Sequence, residues 1–211
     1  MILDTGGTVE TLTNRGTIRV GSSGPAFLTV QGGLTLDTGS ILEIDIQDRS
    51  GRGVGYDSLN VTRTLTLSGG QIRLTHQNGF TPTAAELFAL ISTGGVSGST
   101  AAVGLSGDSA GYALNAQGTQ VFLVRGTPGT VNVWNTDSNA DWGTATNWSL
   151  GRVPNATDLV LLDRGPVNPT ITVSAGAQNA GSIVGLESLT LAGGTLTVAN
   201  ASTLSRGFTW T

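Results

Sequence analysis

"LNVTRTLTLSGGQIRL" (Leu59–Leu74) sets short runs of alternating apolar residues and threonine either side of a Gly-Gly pair. An earlier stretch, "LTVQGGLTL" (Leu28–Leu36), has the same form, and "LTLAGGTLTV" (Leu189–Val198) gives it a third time. Leu28, Val30, Leu34 and Leu36 align with Leu59, Val61, Leu65 and Leu67 at one offset of 31, and Leu42 and Ile44 with Ile72 and Leu74 at 30. Alternation with period two puts Leu, Val and Ile on one face of a strand and Thr, Asn, Glu and Arg on the other. The glycines supply backbone angles that let the chain turn a corner between strands.

Two foldings fit such a pattern. In one, neighbouring strands fold back as hairpins. In the other, each strand pairs with its equivalent one repeat away, at the strand spacing of about 4.8 Å. Type I′ hairpins favour Asn-Gly or Asp-Gly, whereas the turns here are "QGG", "SGG" and "AGG" between strands of three or four residues. Strands so short hold poorly as isolated hairpins, and the repeat offset predicts parallel stacking. Outward threonines then stack without the repulsion of like charges. Inward aliphatics form continuous ladders worth roughly 1.5–3 kcal/mol per fully buried side chain.

Composition supports a chain solvated by Thr, Ser, Asn and Gly rather than by ions. Of 211 residues only 11% are charged, the net charge is −4, and all ten basic residues are arginine. No basic cluster suited to phosphate neutralisation occurs, so the sequence predicts no nucleic-acid partner. With no cysteine there is no disulfide, thiolate metal site or cysteine nucleophile. No apolar run has the length of a membrane span. "MILDTGGTVE" lacks the regions of a signal peptide, and the abrupt "TLSRGFTWT" reads as a cut inside a longer protein.

The rhythm divides the chain into regular coils over 1–78, an altered pattern over 79–126, a linker over 127–133 and a Trp-rich opening with renewed strands over 134–211. Around Ala84–Ile91 the pattern allows a short helix or an apolar strand with a turn. "GYALNAQGTQVFLVR" (Gly111–Arg125) reads as two strands joined at Gly118, a natural covering for the end of a repeat stack. Strands are expected to resume at Leu159–Leu162, Thr170–Val173 and Leu189–Val198.

"YDSLNVTRTLTLSGGQIRL" followed by "GFTPTAAELFALISTGGVSG" resembles repeats in large bacterial surface proteins of the autotransporter and filamentous-haemagglutinin type. "DWGTATNWSLGRVPNATDLVLL" resembles the segment that opens a fresh solenoid in such proteins. The resemblance covers Gly53–Val198. It implies an extracellular right-handed β-helix that serves as a stalk or adhesive surface, and it carries no catalytic residues. Arg63 stands where those repeats have a glycine after the first strand, and neither a translocator domain nor a sorting signal is present in the sequence.

Chemistry-bearing residues are sparse. His76, the sole histidine, reads as a solvated residue at a strand end, since no H-E-x-x-H or G-x-S-x-G accompanies it. Asp137, Asn139 and Asp141 have the alternate spacing of a calcium loop, but Trp142 and Trp148 occupy the positions of its glycine and bidentate glutamate. Asp45, Asp48 and Asp57 form a second acidic group, with Arg49 and Arg52 as local ion-pair competitors. Glu43 and Asp45 lie two apart on one strand face, the candidate acid pair for a glycosidase. Trp134, Trp142 and Trp148 offer rings for sugar stacking or a plug for the end of the second stack. Thr-x-Thr units such as Thr64–Thr66 and Thr195–Thr197 do not recur at a fixed place in each coil.

The sequence therefore predicts an all-β chain: a parallel β-solenoid, in the form of a right-handed β-helix, with an irregular capping module and the start of a second solenoid. The expected role is non-enzymatic: a rigid stalk, surface-layer or filament building block of a secreted adhesin at the bacterial cell surface. No catalytic, cofactor-binding or metal residue is assigned, and self-association or surface glycans are the expected partners. A carbohydrate-active β-helix and a phage fibre or tailspike segment are the alternatives.

Overall fold

The computed structural model describes residues 2–3, 8–83, 86–125, 130–164 and 167–211. It is all-β, with several parallel sheets and, among the described residues, no α-helix; two 3-10 turns lie at Thr100–Ala102 and Ala145–Asn147. No helix of the described residues is long and apolar enough to cross a membrane. The chain divides into two compact units, Met1–Gly126 and Thr127–Thr211.

In the first unit the sequence repeat is the hydrogen-bonding register. Leu28 pairs with Leu59 and Val30 with Val61, and Leu34 pairs with Leu65 and Leu36 with Leu67, all in parallel strands. Leu42 and Ile44 pair with Ile72 and Leu74, keeping the offset of 30. These residues are all but fully buried, so the ladders of equivalent aliphatics are the core. One sheet runs Ile2–Leu3, Thr17–Val20, Ile41–Ile46, Gln71–His76 and Gly104–Gly107, parallel throughout. The other carries Thr8–Val9, Phe27–Val30, Ser58–Leu67 and Glu86–Gly98, with Leu12–Asn14 and Leu34–Leu36 stacked against the second half of Ser58–Leu67. On its outer face Thr13, Thr35 and Thr66 are register partners. Arg63 lies inside the strand Ser58–Leu67, where the alternation of burial breaks at three consecutive exposed residues, Thr62, Arg63 and Thr64, level with the gap between the strands Phe27–Val30 and Leu34–Leu36.

The glycine pairs do more than turn corners. Gly32 has no positive φ, yet a Cβ there would stand 2.8 Å from the amide nitrogen of Thr11 in the preceding layer. Gly70 has φ +80°, and a Cβ on it would lie 2.8 Å from the carbonyl oxygens of both Asp37 and Ser40. Layers packed at strand spacing leave no room for a side chain at such turns. Gly70→Ala is expected to cost about 1–3 kcal/mol, from the left-handed backbone and the crowding together. Chemical denaturation followed by far-UV circular dichroism checks it, and an unchanged midpoint would show that the turn relaxes freely.

Where the repeat pattern changes, so does the pairing. The helix-or-strand segment is a strand, Glu86–Gly98; Ala84 and Ala85 lie outside the described residues. Its second half pairs parallel with Leu59–Leu67 across a bulge between Thr93 and Gly95, where Thr93 Oγ1 donates to the Arg63 carbonyl at 2.7 Å. Its first half pairs antiparallel with Gln120–Arg125, the second arm of a hairpin with Tyr112–Gln117 that turns at Gly118, φ +58°. The hairpin ends the parallel run of that sheet.

Every described strand pairing of the second unit is parallel, and a single-residue bridge between Trp134 and Trp148 is antiparallel. Val131–Val133, Leu159–Leu162, Ser182–Gly185 and Thr203–Leu204 form one sheet, and Ala140–Asp141, Thr170–Val173, Ser188–Leu191 and Gly207–Trp210 another. Ala177–Ala180 pairs with Thr195–Val198. One expectation needs correction. Val131–Val133 falls in the stretch 127–133 that composition marks as a linker, but it is a buried strand in register with Leu159–Leu161. Asn132 hides the strand from a hydropathy reading, and its side chain is buried with Nδ2 donating to the Arg152 carbonyl at 3.0 Å.

Candidate functional site

Most of the residues singled out in the first unit border one corner, where Ile41–Ile46 leaves the sheet and the loop 47–57 leads into Ser58–Leu67. Asp57 is fully buried. Its Oδ1 accepts the Ala26 N–H at 2.6 Å and its Oδ2 the Asp45 N–H at 2.8 Å, so one carboxyl group fastens the starts of two layers to the end of a strand in the other sheet. Asp45, buried as well, accepts from Arg19 Nη2 at 3.4 Å and from the Gln77 side chain. Burial pushes both carboxyls up, Asp57 to about 7, against the two N–H donors at Asp57 and Arg19 at Asp45.

Glu43 and Asp45 do share a face, but each is tied to an arginine of a neighbouring layer. Arg73 Nη1 donates to Glu43 Oε1 at 3.0 Å, while Arg19 takes Asp45. Arg19, Glu43 and Arg73 are register partners, a ladder of alternating charge. In a parallel stack that alternation favours the observed register over one that sets like charges side by side.

Arg49 and Arg52 do not pair with the acids beside them. Arg49 Nε donates to Glu86 Oε2 at 2.8 Å, Arg49 Nη2 donates to Glu86 Oε1, and the guanidinium lies 4.7 Å from the Phe80 ring centre. Arg52 Nη2 donates to the Leu59 carbonyl at 3.0 Å, and its guanidinium lies 5.3 Å from the Phe27 ring. Asp48 is left to accept from the backbone and hydroxyl of Ser50, and those bonds hold its carboxyl below the usual value.

His76 departs from the solvated strand end expected of it. It is half-buried, edge-on to Phe80 at 5.1 Å and to Tyr112 at 6.0 Å, with Nε2 buried and without a hydrogen-bond partner. Phe80 and Tyr112 in turn meet Phe88, whose ring also packs edge-on to Tyr56 at 5.0 Å. The Gly-Phe-Thr-Pro segment thus lays an aromatic lid over this end of the core. Arg125 holds the lid's backbone, donating through Nη1 to the carbonyls of Pro82 and Thr83.

In the second unit the calcium-like spacing does not gather its oxygens. Asp137 Oδ1 accepts from Arg164 Nε at 2.7 Å, Asn139 Oδ1 from the Thr170 N–H at 2.8 Å, and Asp141 from the Gly143 N–H at 2.7 Å and the Ser174 N–H at 3.1 Å. Each side chain stitches the first layer to the next. Trp134, Trp142 and Trp148 are buried together, with Trp148 edge-on to the other two at ring distances of 5.0 and 4.7 Å. Their faces are taken up by one another, which leaves them no surface for a sugar.

Sequence reasoning missed Glu86, which hydropathy absorbs into the run "AAELFALI", and Asp158. Asp158 is fully buried and bound by both Arg152 Nη groups at 2.6 and 2.9 Å. A signal for it was present: Asp57 and Asp158 stand at or just ahead of the first residue of a buried strand, in "DSLNV" and "DLVLL".

No protein-family model, no curated protein and no solved structure matches this chain.

Proposed function

We propose that the chain is a non-enzymatic segment of a bacterial surface or secreted protein, a parallel β-solenoid of the right-handed β-helix kind that acts as a stiff stalk or a building block of a surface layer or filament. On this reading residues 79–126 cap one stack and the tryptophan cluster opens the next. The observation that carries it is the identity between sequence repeat and parallel register, Leu28 on Leu59 and Leu34 on Leu65. A chain whose equivalent residues lie directly above one another gains stability layer by layer, the property a rod requires. The carboxylates support the same reading, because Glu43, Asp45, Asp57, Glu86 and Asp158 are all committed to contacts that hold layers or loops together. Self-association belongs to the proposal too. It would run through contact of the stacks' ends or lateral faces, as unpaired strand edges allow.

The test sets scaffold against carbohydrate-active enzyme. Incubated with a panel of neutral and acidic polysaccharides, the chain is expected to release no reducing ends and no unsaturated products, whether or not a glycan array shows binding. Cleavage that disappears in Glu43→Gln or Asp45→Asn would replace the scaffold reading with a polysaccharide-cleaving one.

A further inference from the structure

The corner around Asp57 contains more buried negative charge than its surroundings neutralise. Asp57 and Asp45 are adjacent and both buried, and the nearest cation, Arg19, gives its hydrogen bond to Asp45 while itself partly exposed. The other charged or titratable groups of the elements packed here are engaged elsewhere. On the strand of Asp45, Glu43 is held by Arg73 from the next strand. At the end of that next strand His76 packs into the aromatic lid, and Gln77 beyond it reaches Asp45 without charge. On the loop, Asp48 is turned to Ser50, Arg49 to Glu86 of the strand beyond, and Arg52 to Leu59 and Phe27. Tyr56, next to Asp57, is packed on Phe88.

We infer that the Asp45–Asp57 pair is a pH-sensitive latch that closes the loop 47–56 while the pair retains a proton and loosens it once both carboxyls are ionised. The loop hangs on this corner. It returns through the bridge between Ile46 and Tyr56 and the bonds of the Gln47 and Asp48 N–H groups to the Gly55 carbonyl, and Asp57 follows at once. With a proton on the pair, the oxygens of Asp57 still accept the Ala26 and Asp45 amides. With both ionised, two like charges share a dry corner and one partly exposed guanidinium. Opening to solvent then relieves them.

The sign follows from burial. The Asp57 carboxyl, raised to about 7, binds its proton more tightly in the closed corner than in an opened one. Closure is therefore fullest at acid pH and weakens as pH rises from the ordinary aspartate range through about 7. This inference does not depend on the scaffold role.

Amide hydrogen exchange followed by NMR, corrected for the intrinsic pH dependence of exchange, tests it on the full chain. Protection of the Ala26 and Asp45 amides is expected to fall by at least about tenfold, the factor carried by one unit of pKa displacement, between about pH 5 and about pH 8. The Leu36 amide, in the core ladder, should hold its protection. Asp45→Asn removes the second charge: Asp57 then ionises at lower pH and without a like charge beside it, so the loss of protection shrinks. Protection that stays flat or rises with pH overturns the latch, and so does a loss of undiminished size in Asp45→Asn.

Discussion

Replacing Trp148 with alanine lowers the stability of the second unit by about 3–5 kcal/mol, the range for truncating a large buried aromatic. Trp148 is the middle ring of the cluster, meeting Trp134 and Trp142 edge-on, and its Nε1 donates to the Trp142 carbonyl at 2.7 Å. Alanine removes both ring contacts, worth about 0.5–1.5 kcal/mol each beyond their area, and leaves a carbonyl in a buried cavity without its donor. No disulfide exists to hold the unit together once that packing fails. The composition makes the measurement clean. All four tryptophans belong to the second unit and both tyrosines to the first, so tryptophan fluorescence and tyrosine absorbance report on different bodies. The denaturation midpoint by tryptophan emission is expected to fall well below its wild-type value while the tyrosine transition stays put. Trp148→Phe keeps a ring but loses the indole bond, and should cost about 1–2 kcal/mol by the loss of volume and one hydrogen bond. A variant Trp148→Ala with an unmoved fluorescence midpoint would mean that the cluster is packed but carries no stability.

The register was legible because it repeats. An aliphatic at Leu28 says little alone, but Leu28, Val30, Leu34 and Leu36 shifted together by one offset onto Leu59, Val61, Leu65 and Leu67 leave few pairings that bury them all. The hairpin at Gly118 was legible for a different reason, since a lone glycine between two apolar runs marks a turn that needs a positive φ. What escaped is polar and non-repeating. Val131–Val133 carries a buried asparagine whose partner lies twenty residues on, and composition holds no trace of that distance. His76 was placed correctly at a strand end, but its environment comes from Phe80 and Tyr112, brought there by a loop and a hairpin outside the repeat. The acidic residues followed the same division. Their positions were visible, whereas Arg49 passes over Asp48 to reach Glu86, 37 residues away, because only that pairing is shielded from water.

Glu86→Ala is the second large expected effect, about 3–5 kcal/mol from the first unit, the loss typical of breaking a buried pair by removing one partner. Glu86 is 3% exposed and accepts from Arg49 through both carboxylate oxygens and from the Thr83 N–H at 2.6 Å. Its removal strands the guanidinium against Phe80 and frees the segment that carries the aromatic lid. Arg49→Met should cost less, because Arg49 already reaches solvent, and the double variant Arg49→Met/Glu86→Leu should recover much of the loss by exchanging the ion pair for apolar contact. Tyrosine-reported unfolding of the wild type, Arg49→Met, Glu86→Leu and the double variant gives the coupling directly, and additive losses would deny that the pair acts as a unit. The pH dependence is opposite to that of Asp57. Burial pushes the Glu86 carboxyl up, but Arg49 and Thr83 outweigh it and hold it below the usual glutamate value. Its contribution is therefore present above the ordinary glutamate pKa and is lost as pH falls through the lowered one, a loss absent from Glu86→Ala. Acid thus weakens the corner at Glu86 while it tightens the one at Asp57, and Glu86→Ala and Asp45→Asn separate these opposed slopes within one folded unit.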